Sequence, residues 1–171
     1  EPPRTAGRIA DLERAFELGG TIYLSDKSDG TLWRETPAGL ESVIAAGATN
    51  VSHTVTCGLA LGDGRHVVGT NGHGLQFFDA GIRTPLPAGG PLAGGSRIND
   101  LCPAGDGLFA AAVENLGIVF FDRQLRTVQV LDRTLDHRLA RVSRLLATGT
   151  GVVWGLLNDG IVCVEFPARL S

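Results

Sequence analysis

The chain has 171 residues, 43% of them hydrophobic and 19% charged, with a net charge of −3. That is room for one domain with a real core, and it argues against both a disordered chain and a basic nucleic-acid-binding surface. The longest apolar runs, such as residues 108–113 and 116–121, are far too short to span a bilayer.

Three absences narrow the reading further. There is no methionine, which reads as an excised or processed piece of something longer. One lysine, Lys27, stands against fourteen arginines, and the arginines are scattered rather than clustered. The three cysteines, Cys57, Cys102 and Cys163, have no CxxC spacing, so neither a disulfide framework nor a zinc site is expected.

In chain order, residues 9–16 (IADLERAF) are the one stretch with a helical competitor; their place in the pattern below makes them a first strand. Hairpin signals follow at Gly19-Gly20 and Asp63-Gly64. Residues 98–102 form a short apolar segment that ends at the turn Gly105-Asp106-Gly107. A strand at 108–113, a turn at 114–117, a strand at 118–121 and an alternating strand at 127–131 come next. Glycine supplies the positive φ that such turns need. A last hairpin signal sits at Thr150-Gly151.

These elements repeat. Gly30, Gly74, Gly117 and Gly160, each before an apolar run, are spaced by 44, 43 and 43 residues. Gly20, Gly64, Gly107 and Gly151 form a second series, and the acidic Glu35, Asp79, Asp122 and Glu165 a third. A repeat of roughly 43 residues with four short strands is the mark of a β-propeller blade. A sandwich would give no reason for one register kept four times. The expected fold is therefore all-β: about four blades of four antiparallel strands, favouring a segment of a larger propeller over a closed ring of four. The single propeller segment 1–171 divides at approximately 8–52, 53–96, 97–140 and 141–171, the last repeat lacking its outer strand. Open edges at its ends should drive self-association.

Residues 63–79, DGRHVVGTNGHGLQFFD, resemble the two-component regulator propeller repeat, with looser copies at 19–36, 105–122 and 149–166. The resemblance implies the extracytoplasmic sensing part of a bacterial hybrid sensor kinase, at the periplasmic or extracellular face of an inner-membrane protein. It implies a small-molecule or saccharide ligand, and as partner the remainder of the parent sensor; a homodimer is among the arrangements it allows. Any kinase activity would then lie outside this chain. A protein-interaction scaffold is the alternative, and a carbohydrate-active enzyme a weaker third.

Two residue sets are candidates for ligand binding at the mouth of a central channel. Arg8, His53, Arg97 and Arg141 each stand where a blade begins, and converging cations would attract an anion such as an acidic saccharide. Asn71, Asn115 and Asn158, with His73, occupy the turns before the motif glycines. Their amides could bond a ligand, or bond their own backbone as turn residues do. The acidic series sits at equivalent points of different blades, too far apart for the paired carboxylates of a glycosidase. No catalytic residue, metal site or cofactor is expected: HxH, HExxH and GxSxG are absent, and the Gly-Gly pairs at 89–90 and 94–95 lack a phosphate-loop context. Trp33, Phe77, Phe78, Phe120 and Phe121 are assigned to the core, and Trp154 with them.

Overall fold

Alternation of apolar and polar side chains between tight turns leaves the chain only antiparallel hairpins to form. A computed structural model describes residues 9–44, 54–79, 82–86, 90–149 and 151–165. The first sheet is β1 (Leu12–Leu18), β2 (Thr21–Asp26), β3 (Leu32–Thr36) and β4 (Gly39–Ile44). The second is β5 (Val55–Ala60), β6 (His66–Thr70), β7 (Leu75–Asp79) and β8 (Ile82–Pro85). The third is β9 (Ile98–Gly105), β10 (Leu108–Val113), β11 (Gly117–Asp122) and β12 (Thr127–Asp132). A 3-10 helix, His137–Arg141, leads into the fourth: β13 (Arg144–Ala147), β14 (Val152–Leu156) and β15 (Ile161–Glu165). Every sheet runs antiparallel in chain order.

The innermost strands β1, β5, β9 and β13 pack one on the next around an axis. The fold is a four-bladed β-propeller, as the repeat requires. Residues 9–16 contribute a strand and no helix, because Phe16 and Leu18 must pack against the second blade. The first strand of the third blade runs on past residue 102, since Pro103 and Gly105 still pair with Phe109 and Leu108.

The core lies between blades. Phe16, Leu18, Tyr23 and Leu32 of the first blade meet Val55, Val68 and Phe78 of the second. The opposite face of the second blade, with Cys57, Leu59, Val67 and Leu75, meets Phe109, Val119 and Phe121 of the third. Ala110, Ile118 and Phe120 then meet Leu145, Val153 and Val162 of the fourth. Each blade therefore has a leading face toward the blade before it and a trailing face toward the blade after it. Adjacent aromatics divide between the two, Phe120 trailing and Phe121 leading, as alternation dictates.

Trp154 departs from its expected place in the core. It lies only partly buried on the trailing face of the fourth blade, and its indole N–H reaches Thr148 Oγ1 at 3.3 Å. Cys57 and Cys102 are buried, and that burial, then the nearby Asp100 charge, pushes both thiols up to about 12. Cys163 is exposed.

The first blade is braced by Asp26, buried at the end of β2. Its carboxylate accepts from the backbone N–H of Ala10 (2.7 Å), Asp11 and Ser28, and from the Ser28 hydroxyl (2.6 Å). Burial raises its pKa, but these donors outweigh burial and leave it below the ordinary aspartate value. A depressed folded pKa gives stability that is complete above the unfolded value, about 3.9, and is lost as the pH falls through the folded one. Asp26→Asn should therefore cost stability at pH 7 and flatten the fall in melting temperature below about pH 4. An unchanged acid slope in melting curves from pH 7 to pH 2 would count against this role.

Candidate ligand site at the propeller axis

Two adjacent repeat positions near the start of the inner strands bring polar side chains to the axis: Glu13, Thr56, Asn99 and Ser143, then Arg14, Asp100 and Arg144; Cys57, the remaining member of the second set, joins the interblade core. The polar members form a network that ties blades together. Arg14 donates from Nε to the Thr56 carbonyl (3.0 Å) and from a terminal nitrogen to the Asn99 carbonyl (2.8 Å), and pairs with Asp100 at 3.2 Å. Thr56 Oγ1 donates to the Ile98 carbonyl, Asn99 Nδ2 to the Val142 carbonyl, and the Leu145 N–H to Asp100.

Arg97, just before β9, stands at the mouth of this array. Its guanidinium pairs with Glu13 of the first blade at 2.7 Å, and donates to the Asn71 amide oxygen in a second-blade turn and to Asn99 Oδ1 at 3.0 Å. One side chain thus holds groups from three blades. Asn71 is fixed from its backbone as well, through a β-bridge to Arg97.

The other candidates are placed differently. Arg141 ends the 3-10 helix and pairs, exposed, with Asp159 at 3.6 Å. The His73 N–H bonds Thr70 Oγ1 within its own turn. Asn115 adopts φ 61°, the left-handed conformation its turn needs, and its N–H bonds the Ala140 carbonyl. Asn158 is exposed in the turn before β15. Arg8 and His53 lie outside the described residues. Of the two predicted sets, Arg97 and Asn71 are brought together.

Glu13, Arg14, Asn99 and Asp100 were not among the residues singled out from sequence. With Thr56 and Cys57 between them they recur every 43 residues, as regularly as the glycines, and that spacing would have found them. The acidic series sits at the ends of β3, β7, β11 and β15, one per blade. Asp122 serves its own turn there, accepting from the N–H groups of Gln124 and Arg126.

A groove of about 540 Å³ lies elsewhere, between β12, the 3-10 helix and β15, lined by Leu131, Leu135, Leu139, Cys163 and Val164. It runs along the edge of β15, where the other three blades carry a fourth strand. Among the described residues, no group of three or more His, Cys, Asp or Glu side chains could hold a metal ion, and no helix is long and apolar enough to cross a membrane.

No protein-family profile matches the chain, and no curated protein matches it in sequence. Solved structures do. An extracellular domain from B. thetaiotaomicron, BT4673, described both as a one component and as a hybrid two component system, superposes with a TM-score of 0.70. In the latter description it is 16% identical over 96% of this chain and 23% of its own. The likeness is one of fold. The computationally designed protein Ika4 is 11% identical with a TM-score of 0.61, over 97% of this chain and 98% of its own. The designed Ika8 is 13% identical with a TM-score of 0.59, over 95% of this chain and 48% of its own. The chain therefore spans about a quarter of BT4673 and about half of Ika8.

Proposed function

We propose that this chain is a non-catalytic recognition propeller, part of the extracytoplasmic input of a bacterial two-component regulator, and that its axial mouth takes an anionic small molecule such as an acidic saccharide. One observation carries the ligand class: a single guanidinium, Arg97, holds Glu13, Asn71 and Asn99 from three blades. A ligand carboxylate is the chemical equivalent of the Glu13 carboxylate and competes for the same fork. Its arrival would release one of the two ties between the first blade and the third, leaving the one through Arg14, and a change in how blades sit on one another is what a sensor passes on. The likeness in fold to BT4673 supports the signalling setting.

The test is a thermal-shift series with glucuronate and galacturonate against glucose and galactose. At a hundredfold excess over Kd the acidic sugars should raise the melting temperature by about 5–10 °C, and the neutral sugars should not. Arg97→Ala should abolish the shift while the protein still melts cooperatively. Equal shifts in wild type and variant, or none with any acid, would overturn the assignment of this mouth.

A further inference from the structure

Apart from Arg97, which reaches back, the side chains at the axis latch each blade to the one after it. The axial residues of each blade reach forward to the inner strand of the next: Arg14 to the Thr56 carbonyl, Thr56 to the Ile98 carbonyl, Asn99 to the Val142 carbonyl, Asp100 to the Leu145 N–H. In the fourth blade the equivalent residues turn back. Ser143 bonds the Leu156 carbonyl of its own blade, and Arg144 bonds the Ser143 carbonyl.

Among the described residues, neither end face carries a further blade. Tyr23, Val67 and Ala110 occupy one repeat position, three residues after the hairpin glycine, and each is buried against the following blade. Trp154 holds that position in the fourth blade and is only partly buried. Around it on the trailing face, Leu146 is 63%, Leu156 48% and Ile161 59% exposed. The leading face of the first blade offers Ile22, 44% exposed, with Leu24 and Trp33 beside it. Among the described residues β13 does not pack on β1 as the other inner strands pack on their neighbours.

We infer that a second copy of this chain completes the ring, the fourth blade of each copy seating on the first blade of the other. The occupant follows from the interfaces already present. A trailing face packs on a leading face at all three internal junctions, and among the described residues one molecule has one face of each kind that no blade covers. Two copies related by a two-fold axis satisfy all four at once and close. The Ser143 hydroxyl and Arg144 guanidinium then have the forward targets that their counterparts use: the carbonyls of Leu12, a residue 54% exposed, and of Glu13 beside it. From strand spacing and rise, each end face covers on the order of 250 Å²; four of them reach on the order of 1,000 Å², the least that a specific interface needs.

Sedimentation or light scattering of the full chain at micromolar concentration should return twice its 17.9 kDa. Leu146→Glu with Ile161→Glu, on the trailing face, should give a monomer, and so should Ile22→Glu on the leading face. Both start from exposed positions, and circular dichroism checks that each variant remains folded. Mixing the two variants is decisive. One junction of the mixed pair keeps two intact faces, so a dimer should reappear, which a pairing of like faces cannot produce. Cys163, on the trailing face, should react with a thiol reagent at least about tenfold more slowly in the wild type than in the trailing-face variant, the closed interface excluding solvent. A monomeric or higher-order wild type, a leading-face variant that remains dimeric, or a mixture that stays monomeric overturns the ring.

Discussion

Replacing Phe121 with alanine should lower the unfolding free energy by about 3–5 kcal/mol, and Phe120→Ala by a similar amount, as for other fully buried aromatics. Both side chains have no exposed surface. Their consequences should nevertheless differ in place. Phe121 stacks on Phe109 with ring centroids 5.6 Å apart and joins the cluster shared with the second blade. Phe120 joins the cluster shared with the fourth. Hydrogen exchange should therefore quicken in β5–β7 for Phe121→Ala and in β13–β15 for Phe120→Ala, because exchange reports local opening. The same exchange pattern for both variants would show that the interblade clusters do not act separately. Val130→Ala, on the exposed outer strand, should change stability by less than about 1 kcal/mol.

Those two aromatics also show how far the sequence could be read. Their spacing from Gly117 sends one to each face of the blade, and that prediction needs only the pleat. The blade count, the strand order and the interblade position of the core follow from the same periodicity. Trp154 was misplaced because periodicity reports which face a residue takes, not whether anything covers it. The axial network escaped for another reason. Arg14 and Asp100 are chemically unlike at one repeat position, so a search for repeated residue types passes over them, although their spacing is regular. Arg97 was legible as the residue that starts a blade. Its partners from two other blades were not, since they meet only through the curvature of the ring.

Gly117→Ala should cost about 3 kcal/mol or more. Gly117 has φ 146°, outside the range of L side chains, and a Cβ there would collide with the carbonyl oxygen of Leu131 in β12. Gly74, with φ 65°, would strike the carbonyls of Leu92 and Ala93. Gly160 is the fourth member of this glycine series, yet it has no such φ and no atom within 4 Å of the added carbon. Its difference has a cause: the outer strand that crowds Gly117 has no counterpart beside β15 among the described residues. Gly160→Ala should shift the denaturation midpoint by no more than about 0.5 kcal/mol. Comparable losses at Gly117 and Gly160 in urea titrations would mean that the motif glycines are needed for their turns alone.

The close approaches at Gly58, Gly69 and Gly155 bear on shape as well as stability. An added carbon would lie 2.6 Å from the Phe16 ring at Gly58, 2.8 Å from Ile98 at Gly69 and 3.2 Å from Val142 at Gly155. All three lie on the first or second strand of a blade, near the axis, whereas Phe77, Phe78, Phe120 and Phe121 lie on the third strands, farther out. Each blade is therefore a wedge, thin at the hub and thick toward the rim, and the taper sets the angle between neighbours. Hydrogen bonding within the sheets is indifferent to that angle. How many wedges close a circle is thus written in a radial gradient of side-chain volume, and a few methyl groups added at the hub would open the arc toward a ring with more blades.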